Sequence, residues 1–144
     1  MKMLRRLRCL LPPSVSRTGK AKDRSGVPPE TLRQFPFIQE RLDRWVIGKR
    51  FCEDIRNNVD FAESLGADPK DVTWFFRTVV REDQRTWRAR LRIEEAISLL
   101  KKDPDIPLGT VAEAVGFSDA SNFARQFRKW TGIAPHQWRE RHGG

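Results

Sequence analysis

The chain has few of the residues from which metal sites and disulfide frameworks are built. Its 144 residues include two cysteines, Cys9 and Cys52, and two histidines, His136 and His142. Two cysteines are too few for a disulfide framework, and neither has a second cysteine or histidine at zinc-ligand spacing. The sequence therefore predicts no metal site and favours a reducing compartment.

Signatures of catalysis and of membrane insertion are also missing. Spacing places no serine or cysteine nucleophile with either histidine, and there is no glycine-rich loop to hold a phosphate. No apolar run approaches the roughly 20 residues of a membrane-spanning helix. We therefore expect no enzyme, no cofactor and no membrane partner, and a bacterial cytoplasmic location.

No segment alternates apolar and polar residues between turn signals, so the sequence gives no sign of a β-sheet. Apolar residues recur at helical spacing instead, which predicts an all-α fold of about seven helices. Four of these precede residue 102, with the following apolar residues: Phe37, Ile38, Leu42, Trp45 and Val46 in the first; Ile55, Val59, Phe61 and Ala62 in the second, from about Asp54 to Leu65; Val72, Phe75, Phe76 and Val79 in the third; and Trp87, Leu91, Ala96, Ile97 and Leu100 in the long fourth, from about Asp83 to Lys101.

The net charge of +9 is concentrated at the N-terminus. Residues 1–28 hold eight Lys/Arg and one Asp, whereas the other 116 residues hold 20 Lys/Arg and 18 Asp/Glu. A basic chain suits a nucleic-acid partner. The rest of the chain is close to neutral, however, so its affinity for DNA depends on where the individual charges lie.

Residues 1–34 are predicted to form a disordered basic arm. Arginines interrupt its leucines, so it lacks the apolar core of a secretory signal, and the polar, proline-rich stretch that follows is too poor in apolar residues to form a core. The arm either adds non-specific attraction to phosphates or is a linker or upstream remnant. The sequence favours neither interpretation.

One segment, residues 116–135, has the pattern of a turn, a helix, a helix end and the start of a further helix. Gly116 suits a tight turn, Ser118 can cap the next helix, Gly132 can end it and Pro135 can begin another. Within the helix the apolar residues are Phe123, Phe127 and Trp130, and the polar residues between them are Ser121, Asn122, Arg125, Arg128 and Lys129. This pattern is typical of a helix that reads DNA.

Together with residues 108–117, this segment resembles the second helix-turn-helix of an AraC/XylS-type transcriptional regulator. The register that carries the resemblance is Val111-Ala112, then Gly116-Phe117, then Gly132-x-x-Pro135. Earlier segments resemble the rest of such a domain. The first helix-turn-helix is resembled by Phe61-Ala62-x-x-Leu65-Gly66 together with the helix that Asp68 caps. The linker helix between the two subdomains is resembled by Trp87-x-x-x-Leu91-Arg92-Ile93-x-x-Ala96.

The resemblance implies a domain over residues 35–144 with two helix-turn-helix subdomains joined by a long linker helix. The first subdomain is expected at about residues 54–80, the linker at 83–101 and the second subdomain at 107–131. In such a domain two recognition helices, here about Pro69–Val79 and Asp119–Trp130, enter successive major grooves of one asymmetric double-stranded DNA site. We expect a regulator that is monomeric on DNA, with RNA polymerase as a protein partner. The chain resembles either a short stand-alone member or the DNA-binding part of a longer regulator.

In the second recognition helix the apolar residues are expected to face the core and the polar residues the DNA. Arg125 is the foremost candidate, because an arginine can hold guanine O6 and N7 with two hydrogen bonds. The alternative is a surface ion pair with Asp119 or Glu113. The other predicted DNA-contacting residues here are Ala120, Ser121, Asn122, Ala124 and Arg128.

In the first recognition helix Lys70, Thr73, Trp74 and Arg77 occupy the outward positions. Trp74 lies beside two phenylalanines, and three consecutive aromatic residues cannot all face one core. It either packs on DNA or belongs to the core or to a partner contact. Residues 50–82 hold five Lys/Arg and seven Asp/Glu, so we expect the second recognition helix to dominate binding.

Two other functions are compatible with the sequence. The near-neutral domain with its aromatic cluster also suits a protein-interaction module of the same fold that has lost DNA reading. The basic arm also suits a small RNA-associated protein.

Overall fold

The computed structural model describes residues 26–142, which form seven α-helices and no strand. The helices are α1 (Pro29–Ile47), α2 (Asn58–Leu65), α3 (Pro69–Phe75), α4 (Gln84–Lys102), α5 (Leu108–Ala114), α6 (Ala120–Thr131) and α7 (Pro135–His142). A 3-10 turn, Arg50–Cys52, follows α1, and a π-helical turn, Phe76–Val80, continues α3. The all-α prediction is confirmed for these residues. None of these helices is long and apolar enough to cross a membrane.

The chain divides into two compact units. The first comprises the residues up to Arg50 together with Ile55–Gln84, and the second comprises Phe51–Asp54 together with the residues from Arg85 onward. The first contains α1, α2 and α3, and the second contains nearly all of α4 and the three helices that follow it. Each unit therefore holds one of the two expected helix-turn-helix segments.

Helix α1 begins at Pro29, six residues before the expected start of the domain. The prolines that we interpreted as part of a structureless arm begin this helix, because a residue at the first position needs no backbone N–H partner. Thr31 is fully buried, and its hydroxyl donates to Asp71 Oδ1 at 2.7 Å. Residues 1–25, the rest of the predicted arm, lie outside the described part of the chain.

Aromatic side chains fill the core of the first unit. Phe35 meets Phe75 edge to face with ring centroids 5.3 Å apart, and Phe61 contacts both Trp45, at 5.2 Å, and Phe76, at 5.5 Å. Such edge-to-face pairs add to the free energy gained by burial. Phe37, one of the apolar residues that mark α1 in the sequence, is 37% exposed, and its ring lies against the Arg41 guanidinium.

Helix α2 is shorter than predicted, because it begins at Asn58 and not near Asp54. The Asn57 side chain caps it by accepting from the Asp60 backbone N–H at 2.9 Å. Val59 is half exposed in this helix, so its assignment to the apolar face was wrong.

The end of the first recognition helix departs from regular α geometry. The Asp68 carboxylate caps α3 by accepting from Lys70 N at 2.8 Å, as the sequence predicts. After Phe75 the backbone continues as the π-helical turn and ends at Arg81, a left-handed residue with φ +62°. A non-glycine residue costs roughly 1–2 kcal/mol in this conformation. Arg81 thus ends this turn in the left-handed conformation that glycine most often adopts after a helix.

The second unit has its own hydrophobic core. Ile93, Ala96 and Leu100 of α4 pack with residues of the three following helices and of the turn between α5 and α6, as follows: Val111, Ala112, Val115, Phe117, Phe123, Phe127 and Trp138. Pro107 is the residue directly before α5, and it makes no side-chain hydrogen bond to cap the helix. The core positions α6 by its two phenylalanines.

The Thr31–Asp71 hydrogen bond connects α1 to the first recognition helix, so its loss should destabilise the first unit. We expect Thr31→Val to lower the free energy of unfolding by about 1.5–3 kcal/mol, because a buried bond to a charged acceptor is lost with little change of shape. Urea unfolding followed by circular dichroism measures the change. Thr31→Ser, which keeps the hydroxyl, is the control, and equal stability of all three proteins would contradict this role.

Candidate nucleic-acid interface

Helix α6 has one buried face and one polar exposed face. Phe123 and Phe127 are 2% and 0% exposed and pack on each other with ring centroids 5.7 Å apart. Other positions of the same helix carry the residues predicted to contact DNA: Ala120, Ser121, Arg125 and Arg128 are exposed, and Asn122 and Ala124 are partly exposed. The structure thus places all six on the accessible side of one helix, and their contact with DNA stays a prediction.

The cap of α6 is Asp119 and not Ser118. Asp119 Oδ1 accepts from the Asn122 backbone N–H at 2.6 Å, because Asp119 has the extended backbone of a cap residue and Ser118 lies one residue too early. A carboxylate here also complements the positive end of the helix dipole. The helix therefore begins at Ala120, with Ser121 exposed in its first turn.

Arg125 has a defined neighbour on the exposed face. Its Nη2 donates to Asn122 Oδ1 at 2.8 Å, so its partner is this neutral amide and not Asp119 or Glu113. A neutral acceptor orients a guanidinium without cancelling its charge. The remaining donors of Arg125 are therefore available for a base edge or a phosphate.

Trp130 is partly buried and packs against the core of the second unit, in agreement with the expectation that it turns inward. Two cations lie over it: the Arg90 guanidinium at 5.8 Å from the ring centroid and Lys129 Nζ at 5.4 Å. Cation–π contacts of this kind hold cationic groups beside an aromatic face. Positive charge therefore accumulates at the C-terminal end of α6. The surrounding segment, residues 116–142, is also basic, with five Lys/Arg and two Asp/Glu.

The turn before α6 is set by the close approach of two backbone segments. Gly116 has φ +95°, and a Cβ built on it lies 2.3 Å from the carbonyl oxygen of Cys52. No side chain fits in this space, so the glycine is required for packing as well as for conformation. Because Phe117 follows directly and packs on Phe123, with centroids 5.5 Å apart, this approach fixes where α6 begins.

The residues of the first recognition helix that are predicted to contact DNA are mostly exposed. Lys70, Thr73 and Arg77 are exposed, and the Thr73 hydroxyl donates to the Pro69 carbonyl within the helix at 2.9 Å. Trp74 is half buried beneath the Arg77 guanidinium, 5.3 Å from its ring centroid. The structure thus brings the four predicted residues to one helix and leaves both interpretations of Trp74 open.

A cavity of about 510 Å³ adjoins this helix, and it contains charges of both signs. Phe61, Val72 and Phe76 are its apolar lining residues; Asn58, Thr73, Arg77, Arg81, Glu82, Asp83 and Gln84 are its polar ones. Two carboxylates beside two guanidiniums reduce the attraction for phosphates. The charged groups that line the cavity therefore balance, and they give no net positive charge to attract a phosphate.

Sequence reasoning missed two features of the second unit. Arg92 donates to the carbonyl oxygens of Phe51, at 2.6 Å, and Glu53, at 2.8 Å, and its guanidinium lies over the Phe117 ring. The apposition of Cys52 and Gly116 joins residues far apart in sequence, so local spacing carries no signal for it. Among residues 26–142, no cluster of His, Cys, Asp and Glu could hold a metal ion.

Comparison with known proteins agrees with this architecture. Residues 61–141 match the family model described as "Helix-turn-helix domain", and this range runs from α2 into α7. The fold and the exposed α6 thus define a helix-turn-helix domain, a DNA-binding class. The chain belongs to the AraC-type helix-turn-helix family.

Three curated proteins illustrate the relationship. The Arabinose operon regulatory protein of Escherichia coli is 33% identical over 78 residues, which cover 54% of this chain and 26% of that protein. The Uncharacterized transcriptional regulatory protein YesN of Bacillus subtilis is 29% identical over 83 residues, 57% of this chain and 23% of that protein. The Ornithine utilization regulator of Pseudomonas aeruginosa is 54% identical over 35 residues, 24% of this chain and 10% of that protein. The chain therefore spans about a quarter or less of the length of these relatives.

The Gly116 turn predicts opposite effects for two alanine substitutions. Gly116→Ala should lower the free energy of unfolding by about 2–4 kcal/mol, because it adds left-handed strain and a clash with the Cys52 carbonyl. Gly109→Ala, in the helix on the other side of the turn, should raise it by roughly 0.5 kcal/mol, since its Cβ meets nothing within 4 Å. Urea unfolding compares them, and equal effects would contradict the close approach.

Proposed function

We propose that this protein is a sequence-specific double-stranded DNA-binding transcriptional regulator in which α6 is the main reading helix. The observation that carries the proposal is the exposed face of α6, where Ser121, Arg125 and Arg128 lie opposite the buried Phe123 and Phe127. An α-helix with such a face fits the major groove of B-DNA, where base edges are distinguishable.

Arg125 is proposed to supply the strongest base contact. Its exposed guanidinium is oriented by Asn122, and a bidentate contact with guanine discriminates against other bases by about 1–3 kcal/mol. Ser121 and Arg128 lie nearby for bases or phosphates. Ala120 and Ala124 offer only apolar contact, which suits a thymine methyl group.

Helix α3, with the π-helical turn that continues it, is proposed as a second and weaker reading element through Lys70, Thr73, Trp74 and Arg77. Two recognition helices within one chain recognise an asymmetric site in successive major grooves without dimerisation. The linker helix α4 has 19 residues, about 28 Å at 1.5 Å per residue, a length comparable to one turn of DNA. We therefore propose binding as a monomer, with RNA polymerase as the protein partner through which transcription is altered.

A protein-interaction module is the alternative function. It is favoured by the near-neutral charge outside the N-terminal arm and by three exposed apolar side chains, Phe37, Ile47 and Val59. The two functions differ in how binding depends on salt. Contacts with phosphates make the logarithm of affinity for duplex DNA fall linearly with the logarithm of salt concentration, and a protein-interaction module has no such dependence.

Selection from a library of randomised duplexes tests the proposal directly. The full chain should enrich one asymmetric motif, and affinity for that motif should exceed affinity for scrambled duplex by at least about a thousandfold at physiological salt. The same duplexes are then titrated over a range of salt concentrations. Recovery of no motif, together with salt-independent binding, would favour the interaction module.

Arg125 should determine one base pair of that motif. Arg125→Ala is expected to weaken binding to the selected site by about 1–3 kcal/mol and to relax the preference at one position. Arg125→Lys is the control, because it keeps the charge and loses the bidentate geometry. Lysine should therefore restore non-specific affinity but not the base preference. Unchanged specificity in both variants would contradict the role of Arg125.

Deletion of the basic N-terminus distinguishes two contributions to DNA binding: sequence-specific contacts of the helices and electrostatic attraction by the arm. The deletion should end at residue 25, because Val27 is 4% exposed and belongs to the fold. Removing seven net positive charges should make the salt dependence of non-specific binding shallower. The selected motif should stay the same. Abolition of all binding would instead favour an RNA-associated or arm-driven protein.

A further inference from the structure

We infer that Arg92 is a positioning residue for DNA reading, acting through the turn that precedes α6. This inference rests on the proposed function. Arg92 lies on the linker helix α4, and its guanidinium contacts two separate parts of the second unit. On one side it binds the backbone of residues 51–53, and on the other it lies against Phe117.

The first contact fixes the segment against which the turn packs. Nε and Nη2 of Arg92 donate to the carbonyl oxygens of Phe51 and Glu53, at 2.6 and 2.8 Å. These two carbonyls belong to the residues on either side of Cys52. The carbonyl oxygen of Cys52 itself occupies the space that a Cβ on residue 116 would need. Arg92 thus holds the two neighbours of the residue that defines how closely the turn can approach.

The second contact reaches the recognition helix itself. The Arg92 guanidinium carbon lies 5.6 Å from the centroid of Phe117, and the Phe117 ring in turn packs on Phe123 of α6. One guanidinium therefore touches both sides of the apposition between residue 52 and the turn. A planar group with five donors can make these contacts at once, which an ammonium group cannot.

The electrostatic setting of Arg92 indicates a specific structural need for this charge. Burial lowers the pKa of the Arg92 guanidinium, while the nearby Cys52 and Asp54 act in the opposite direction. Arg88, on the same helix, is 6% exposed, and burial together with Arg92 and Arg85 lowers its pKa to about 10. A buried and a partly buried guanidinium thus repel each other, and the two hydrogen bonds of Arg92 to backbone carbonyls offset part of that cost.

The consequence for function is geometric. Arg92 lies beneath the turn and carries no predicted base contact, whereas the proposed reading residues lie on the exposed face of α6. Small displacements of a recognition helix disrupt base contacts far more than they disrupt attraction to phosphates. Loss of Arg92 should therefore reduce discrimination between sites before it reduces general affinity for DNA.

The test compares three variants of the full chain on the selected duplex and on a scrambled duplex. Arg92→Met removes both carbonyl bonds, Arg92→Lys keeps the charge, and Arg85→Met removes an exposed charge from the same helix. We expect Arg92→Met to lose about tenfold or more in the ratio of selected to scrambled affinity, with Arg92→Lys intermediate. Arg85→Met should leave that ratio unchanged. Equal ratios for Arg92→Met and Arg85→Met would overturn the inference.

Amide hydrogen exchange gives a readout that does not depend on DNA. The Gly116 and Phe117 amides donate to the carbonyls of Glu113, at 3.1 Å, and Ala112, at 2.9 Å. In Arg92→Met these two amides should lose about tenfold in protection while Ile93 in α4 stays protected. Uniform loss throughout the second unit, or no loss at the turn, would overturn the inference. If the wild-type chain selects no motif, the proposed function fails while this exchange pattern still decides the role of Arg92.

Should Arg92→Met fail to fold, Arg92→Lys alone decides the question. A lysine ammonium lacks the planar fork of the guanidinium and so cannot make all the contacts of Arg92 at once. Reduced protection of the Gly116 amide and a lower ratio of selected to scrambled affinity would therefore support the positioning role. Wild-type values in both measurements would overturn it.

Discussion

The second helix-turn-helix depends on the close approach of the Cys52 carbonyl to Gly116. The absent Cβ lets two backbone segments meet, and Phe117 then enters the core and carries α6 with it. Arg92 contacts both sides of this approach, because it donates to the Phe51 carbonyl and lies over the Phe117 ring. The exposed face of α6, and with it the proposed contact with DNA, has its position because this approach is possible.

The sequence alone could predict the number and order of the helices and the orientation of α6. Phenylalanines at helical spacing predicted which face of α6 is buried, and Asp68 and Gly132 marked helix ends correctly. These features are local, because helical periodicity, caps and left-handed ends act within a few residues. The sites of DNA contact follow from the same periodicity and stay predictions.

Features that depend on contacts between distant residues could not be predicted. Burial of Thr31 against Asp71 extends the first helix to Pro29, a segment whose prolines suggest an arm when considered alone. Phe37 is among the apolar residues that mark the first helix in the sequence, but Phe35 is the buried one of the two. Helical periodicity identifies a stripe of residues, but the neighbouring helices determine which edge of that stripe is covered.

We propose that the two recognition helices contribute unequally to DNA binding, with α6 the main reading helix. Amide NMR of the full chain, with and without a selected duplex, tests it most directly. We expect the largest chemical-shift changes in α6, at Ser121 through Arg128, with smaller changes in α3. Changes concentrated around Phe37, Ile47 and Val59, with α6 unaffected, would contradict the proposed function.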